Sequence, residues 1–577
     1  MKKFMSGNQA VARGAWEAGV MFAAGYPGTP STEILETLAP YKEVRARWCS
    51  NEKVAFDEAV GAAIGGLRAM VTMKHVGLNV ASDAFMVFPY SGTNAGFVVI
   101  SADDPGMHSS QNEQDNRYYA RMAKVPLVEP SDAQECKDFV GLAFEISERF
   151  KTPVMMRTTT RIAHIKGLVE LGERKEYPRR EYVPDVKQYS VPIYRRLRRP
   201  ELEKKLAQLR GYAEETPLNV VELRDSKVGV VANGISYQYA RDVLPEASSF
   251  KLGLTYPLPR EKLLDFCARH EKVYIVEEGE GFIEEQLLAF GATNIVGKEL
   301  FGNIGEYSPE RLEAAIKGTR FPTDYSSEIA ILPRPPMFCV GCGHRTVFEA
   351  LKRAKVMVTG DIGCYTMGAL PPFEASHTTF CMGSSIGNAI GFEQAGVENV
   401  VAVIGDSTFI HAGIPGLIDA VYNKSKVTLL ILNNGTTGMT GQQVHPGVDY
   451  TLQGEPTKAL DLEKLARAVG VEYVKVVDAW QRKELYRTLR EARAFDGPAV
   501  VIVEGACRML PDQRGREIIP YVVDEEFCTD CGACYRIYCP AIVVGERGLP
   551  TILAEDCVAC TLCQQVCPKD AIEVLVQ

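Results

Sequence analysis

The chain has 577 residues, 46% of them hydrophobic and 24% charged, with a formal net charge of −9. That length leaves room for about three or four domains of ordinary globular composition. The acidic balance and the lack of a basic patch with interleaved aromatics exclude a nucleic-acid binder, and no apolar run reaches the roughly eighteen residues that cross a bilayer.

At the N-terminus Lys2 and Lys3 precede apolar residues, but Ser6-Gly7-Asn8-Gln9, Arg13 and Glu17 interrupt the stretch. It reads as an amphipathic helix and not as a signal peptide. Beyond it, short β-branched runs alternate with helical patterns, which indicates an α/β architecture with parallel sheets. Phe97-Val98-Val99-Ile100 is the first such run. From Gly172 to Arg210 the chain is dense in Arg, Lys, Glu and Tyr and carries Pro178, Pro184, Pro192 and Pro200. This reads as a connecting arm, a solvated charged linker ending in a helix with Leu202, Leu206 and Leu209 on one face. Val228-Gly229-Val230-Val231, Val273-Tyr274-Ile275-Val276, Val400-Val401-Ala402-Val403-Ile404 and Val427-Thr428-Leu429-Leu430-Ile431-Leu432 follow, each short enough for a fully buried strand. Boundaries fall at Pro333-Arg334-Pro335-Pro336 and after Pro511. The expected organisation is therefore 1–170, an arm over 171–219, then 220–325, 333–515 and 520–577.

Sixteen cysteines without an export signal point to metal binding in a reducing, oxygen-poor cytoplasm and not to disulfides. Eight of them form two runs, Cys528-x2-Cys531-x2-Cys534-x4-Cys539-Pro540 and Cys557-x2-Cys560-x2-Cys563-x3-Cys567-Pro568. This is the spacing of a bacterial ferredoxin with two [4Fe-4S] clusters, in which each cluster takes its fourth ligand from the other run. On that rule Cys528, Cys531, Cys534 and Cys567 hold one cluster, and Cys539, Cys557, Cys560 and Cys563 the other. One extra residue before Cys539 departs from the usual pattern. Zinc is the competing reading, but it needs neither a third CxxC step nor a proline after the last cysteine.

The strand ending at Ile404 runs into Gly405-Asp406-Ser407, and the strand ending at Leu432 runs into Asn433-Asn434. In a βαβ unit both side chains would stand at the carboxyl ends of neighbouring strands, where α/β sheets bind ligands. A carboxylate, an amide oxygen and a backbone carbonyl suit Mg²⁺ when a diphosphate supplies the remaining ligands. The pair resembles the thiamine-diphosphate motif, with Ser407 in place of its second glycine. By that resemblance Asp406 and Asn434 bind Mg²⁺ by side chain and Thr436 by its carbonyl, with Gly405, Asn433, Thr437 and Met439 at the cofactor. Gly383-Ser384-Ser385-Ile386-Gly387 opens a helix and offers free backbone N–H groups to a phosphate.

Cys339-Val340-Gly341-Cys342, Asp361-Ile362-Gly363-Cys364 and a distant Cys507 resemble the proximal [4Fe-4S] site of pyruvate:ferredoxin oxidoreductases, beside their thiamine diphosphate. A zinc site or free thiols are the alternatives. Cys49, Cys136, Cys267 and Cys381 have no partner spacing and read as buried thiols, with cofactor contact open for Cys381.

The first segment carries Gly25-Tyr26-Pro27-Gly28-Thr29-Pro30-Ser31-Thr32-Glu33, Asn51-Glu52-Lys53 and Thr72-Met73-Lys74-His75-Val76-Gly77-Leu78-Asn79. With Gly405 through Gly416 and His445-Pro446-Gly447, these strings make nearly the full length similar to the α subunits of indolepyruvate:ferredoxin oxidoreductases. The resemblance implies pyrimidine-type and diphosphate-type thiamine-diphosphate-binding domains, an intervening transketolase-C-terminal-like domain and a C-terminal two-cluster ferredoxin domain. It implies Glu52 as the acid on the aminopyrimidine ring, although by itself such a residue reads as a helix-start carboxylate. Thr29, Lys74 and His75 would face the substrate, with Asn79, His108 and Gln111 as weaker candidates. The implied reaction is oxidative decarboxylation of an aryl 2-oxoacid, with coenzyme A taking the acyl group and ferredoxin the electrons. A smaller β subunit would supply the γ-type domain in an (αβ)₂ assembly. A non-oxidative arylpyruvate decarboxylase with an appended redox domain, and an electron-transfer subunit with a vestigial thiamine site, remain open.

Overall fold

The computed structural model describes residues 1–319, 335–515 and 518–575. Contacts divide the chain into two units, Met1–Ile329 and Ala330–Gln577. The expected boundary at Pro333-Arg334 lies outside the described residues, with Pro335-Pro336 just inside them.

In the first unit a seven-stranded sheet runs in the order Leu254–Tyr256, Leu127–Val128, Val154–Thr159, Phe97–Asp103, Ala69–Lys74, Phe22–Gly25 and Arg45–Trp48. The strands pair in parallel except at the first position, where Leu254–Tyr256 lies antiparallel to Leu127–Val128. A five-stranded sheet follows the order Ile295–Val296, Lys272–Val276, Val228–Asn233, Ser248–Leu252 and Val220–Glu222. One hydrophobic core joins the two sheets, packing Phe56, Val71 and Val99 with Val231, Phe250 and Ile275.

Two expectations change in this unit. Residues Lys2–Ser6 form a strand antiparallel to Lys166–Glu170, and the N-terminal helix starts only at Gly7. Ser6 ends the strand as the helix cap, its hydroxyl accepting the Gln9 N–H while the Gln9 side chain returns to the Ser6 N–H. The charged arm is also more than a solvated linker. Its backbone donates from Lys175 to the Glu17 carbonyl at 2.8 Å and from Arg180 to the Gly66 carbonyl at 2.9 Å. Tyr177 receives the Arg68 guanidinium 4.0 Å above its ring. The arm's helix, Val191–Glu215, buries Leu202, Leu206 and Leu209 as expected.

The second unit is built on a wholly parallel sheet in the order Met357–Thr359, Val400–Gly405, Thr428–Asn433, Ala499–Glu504 and Tyr473–Asp478. Its central strands are buried on both faces, so their sequences are continuous apolar runs. Val401, Val403, Leu430, Leu432, Val501 and Val503 pack on one side. Val400, Ala402, Ile404, Leu429, Ile431, Val500 and Ile502 pack on the other. Two small antiparallel ribbons, Tyr521–Val523 with Ile572–Val574 and Ile542–Val544 with Pro550–Ile552, frame the cysteine runs. Among the described residues no helix is long and apolar enough to cross a membrane.

Candidate active site

Gly405 pairs with Leu432 and Asn433 with Glu504, so Asp406, Asn434 and the segment after Glu504 all leave the sheet at its carboxyl edge. The Asp406 carboxylate is buried and held by backbone donors. Oδ1 accepts the Ser407 N–H at 2.8 Å, and Oδ2 accepts the Gly435 N–H at 2.8 Å and the Asn434 N–H at 3.2 Å. The Asn434 amide oxygen accepts the Thr436 N–H at 3.0 Å. Two neighbouring strand ends thus bring together the carboxylate, the amide oxygen and the Thr436 carbonyl, a donor set suited to a hard cation. His445 Nδ1 accepts the Gly447 N–H at 3.0 Å, which leaves the proton on Nε2, 3.3 Å from Asp406 Oδ2. Ser407 and Thr437 hydroxyls lie 2.8 Å apart.

The glycine-rich helix start differs from expectation. Helix Ser384–Gln394 is present with Gly383 as its cap, but its donors are engaged. Gly383 N–H donates to Asp361 Oδ1 at 2.8 Å, Ser385 N–H to Asp361 Oδ2 at 2.9 Å and Ser384 N–H to the Cys381 carbonyl at 3.1 Å. A buried carboxylate on the preceding strand end neutralises the positive helix terminus, as a phosphate would. Burial pushes the Asp361 carboxyl up, against the pull of these N–H groups.

Cys339, Cys342, Cys364 and Cys507 line one cavity of about 350 Å³, which Asn433, Asn434, Gly438 and Met439 also line. Cys507 N–H donates to the Asn434 carbonyl at 2.9 Å. A methyl group at Gly438 would stand 3.4 Å from Cys364 Sγ and 3.6 Å from Asn434 Nδ2. The distant cysteine therefore joins the others because its strand, Ala499–Glu504, lies beside Thr428–Asn433 in the sheet. Burial, and then the neighbouring thiols, push Cys364 up to about 12. Cys339 is exposed and the other three are partly buried, and four such thiols ionised together would repel one another unless a cationic group lay among them. Among the described residues no three His, Cys, Asp or Glu side chains are grouped for a single ion. His344 Nδ1 lies 3.4 Å from Cys342 Sγ, and burial holds its imidazole down at about 4, hence neutral.

In the ferredoxin-like segment Cys528, Cys531, Cys534 and Cys567 line one cavity. Cys563 is pushed up to about 12 by burial and then by Cys560, Cys557 and Cys539, the other crossed set. Backbone N–H groups of Tyr521 and Ala571 point at Cys557 Sγ and Cys567 Sγ at 3.5 and 3.3 Å.

Within the first unit, Thr29, Glu52, Lys74 and His75 lie at or just beyond the carboxyl ends of three adjacent strands, Phe22–Gly25, Arg45–Trp48 and Ala69–Lys74. Glu52 begins helix Glu52–Ile64 and is buried. Lys74 donates to the Ser109 carbonyl, and burial lowers its ammonium to about 8. His75 Nε2 lies 3.2 Å from the Asn112 carbonyl, with its ring lowered by burial. Asn79 accepts the Tyr119 hydroxyl at 2.8 Å, and His108 pairs with Glu306 at 2.9 Å. Cys49, Cys136 and Cys267 are buried thiols, whereas Cys381 is exposed, contrary to expectation, because it precedes the helix cap on an open loop. Sequence reasoning missed Asp361 as a helix cap and passed over Arg345, a cation directly after a CxxC step.

A parallel-sheet thiamine-diphosphate domain followed by ferredoxin-type cysteine runs defines a thiamine-diphosphate-dependent 2-oxoacid:ferredoxin oxidoreductase. Residues 13–206 match the family described as pyruvate flavodoxin/ferredoxin oxidoreductase, thiamine diP-bdg. Residues 361–503 match thiamine pyrophosphate enzyme, C-terminal TPP binding domain, and 550–573 match 4Fe-4S binding domain. The chain is 41% identical to indolepyruvate oxidoreductase subunit IorA of Archaeoglobus fulgidus, over 99% of this chain and 97% of that one. It is 41% identical to the subunit of that name from Methanothermobacter marburgensis and 40% identical to that from Pyrococcus horikoshii, each over 99% of this chain and 97% of the relative. The chain belongs to the family of indolepyruvate oxidoreductase IorA subunits.

Proposed function

We propose that this chain, with a smaller partner subunit, converts aryl 2-oxoacids of the indolepyruvate and phenylpyruvate type to aryl-acyl-CoA and carbon dioxide. Two electrons pass singly to ferredoxin and one proton is released. The observation that carries this reading is the cavity shared by Cys339, Cys342, Cys364 and Cys507 with Asn434 and Met439, which supports a one-electron acceptor beside the thiamine loop.

When bound, thiamine diphosphate supplies the carbon nucleophile for decarboxylation, and [4Fe-4S] clusters supply one-electron carriers. Asp406, Asn434 and the Thr436 carbonyl would hold Mg²⁺, with His445 Nε2 3.3 Å from the Asp406 carboxylate. Gly405, Asn433, Thr437 and Met439 line the diphosphate side. Gly383, Ser384 and Ser385 shape its approach through the Asp361-capped helix start, and do not offer free N–H groups. Glu52, buried at its helix start, would hydrogen-bond the aminopyrimidine ring. Thr29, Lys74 and His75 receive the substrate carboxylate. The three sets of four cysteines would hold the clusters that take the electrons outward. The partner subunit supplies the γ-type domain in an (αβ)₂ assembly, and the cysteine usage favours a reducing cytoplasm.

An anaerobic assay of the complex with indolepyruvate tests this. Ferredoxin reduction that requires coenzyme A is expected. Aldehyde release with neither coenzyme A nor ferredoxin would instead identify a non-oxidative decarboxylase.

A further inference from the structure

Within the second unit Arg345 reaches backbone of two of the cysteine sets. Arg345 is buried, and its guanidinium donates only to backbone carbonyls in the bonds observed. Nε donates to the Cys339 carbonyl at 2.9 Å, Nη2 to that of Phe338 and Nη1 to that of Tyr538, next to Cys539. The acidic groups acting on it are thiols of both sets, Cys342, Cys539, Cys339 and Cys560. The loops they belong to also touch. A methyl group at Gly341, between Cys339 and Cys342, would overlap the Val558 side chain and stand 3.3 Å from Cys560 Cβ. Trp480 Nε1 donates to the Gly341 carbonyl at 3.0 Å, and its own carbonyl accepts Gln565 Nε2 at 2.7 Å. Arg508 donates to the Val558 carbonyl at 3.0 Å.

We propose that Arg345 is the positioning residue at the junction between the Cys339, Cys342, Cys364 and Cys507 site and the Cys539, Cys557, Cys560 and Cys563 site, fixing their separation and raising both reduction potentials. The proposal rests on reading these thiols as cluster ligands. It makes the second set the first acceptor in the ferredoxin-like segment and Cys528, Cys531, Cys534 and Cys567 the outer one. One electron leaves the first site, which is oxidised by one, and enters the second, which is reduced by one. No proton or further reactant takes part. A fixed positive charge favours the reduced, more negative state of a cluster, and more strongly when buried. A guanidinium can hold three carbonyls in one plane where an ammonium cannot.

The test uses the full two-subunit enzyme, prepared anaerobically, as wild type, Arg345→Gln and Arg345→Lys. Iron and sulfide content, reduction potentials followed by electron paramagnetic resonance, and spin–spin splitting between reduced clusters are measured. Arg345→Gln is expected to keep the wild-type iron content, with two potentials shifted down, the third unmoved and the splitting weakened. Arg345→Lys is expected to keep the potentials near wild type and still lose splitting. Potentials and splitting that stay at wild-type values in Arg345→Gln at full iron content overturn the proposal. If Arg345→Gln loses iron, Arg345→Lys decides: weakened splitting supports the proposal and unchanged splitting overturns it. Iron for only two clusters in the wild type overturns the three-site reading beneath the proposal, and the proposal with it.

Discussion

The Glu52 carboxylate rests against the backbone of Gly77: a methyl group there would come 2.5 Å from Oε1 and 2.9 Å from Cδ. Glu52 opens one helix and Gly77 sits in the first turn of another, His75–Ser91. The missing side chain leaves room for the acid between the two. Gly77→Ala should therefore displace the carboxyl group and lower turnover about tenfold or more, with Glu52→Gln costing about a hundredfold. Both variants should keep wild-type iron content. Wild-type turnover in Gly77→Ala beside an impaired Glu52→Gln would show that the contact does not position the acid.

Lys74 gives a pH dependence whose sign is fixed by burial, which lowers its ammonium to about 8 from 10.5. Below pH 8 it is a cation able to meet a 2-oxoacid carboxylate, and above it a neutral amine. KM for the oxoacid should rise as pH increases through about 8, with kcat changing less, and Lys74→Met should flatten the profile. The same depression means that protonating Lys74 opposes folding. Its penalty is therefore full below pH 8 and relieved as pH rises toward 10.5.

Asp406 spends both oxygens on three backbone N–H groups. An amide cannot reproduce this, because its nitrogen is a donor. Asp406→Asn should lose retained thiamine diphosphate on desalting, read by cofactor analysis of the protein fraction, while the iron at the two ferredoxin-like sites remains.

Cysteine substitutions should remove iron in discrete steps. Cys364→Ser and Cys528→Ser should each lose about four irons per chain, and the double variant about eight. Zinc in place of iron in the wild-type protein, measured by metal analysis after anaerobic purification, would count against all three cluster sites.

Much of this was legible in sequence where local pattern carries the information. Apolar runs such as Val400–Ile404 and Leu429–Leu432 became central strands, because a parallel sheet buried on both faces needs no alternation. The spacing of the two cysteine runs likewise suggests which four line one cavity, Cys528, Cys531, Cys534 and Cys567. Contacts between distant segments were not legible. Nothing near Gly383 announces that Asp361 occupies its N–H group, and nothing near Lys2 announces a partner strand at Glu170. Arg345 looked like an ordinary helix residue because its meaning lies in the Tyr538 carbonyl it reaches.

The three residues Leu254–Tyr256 close the border of the seven-stranded sheet by pairing with Leu127–Val128. A fragment ending before residue 220 would strip that border and leave backbone donors and acceptors open to strands of other molecules. The apparent seam at the charged arm is thus a poor place to cut, and such a fragment would self-associate. Autonomy in this half of the chain belongs to the whole of the first unit.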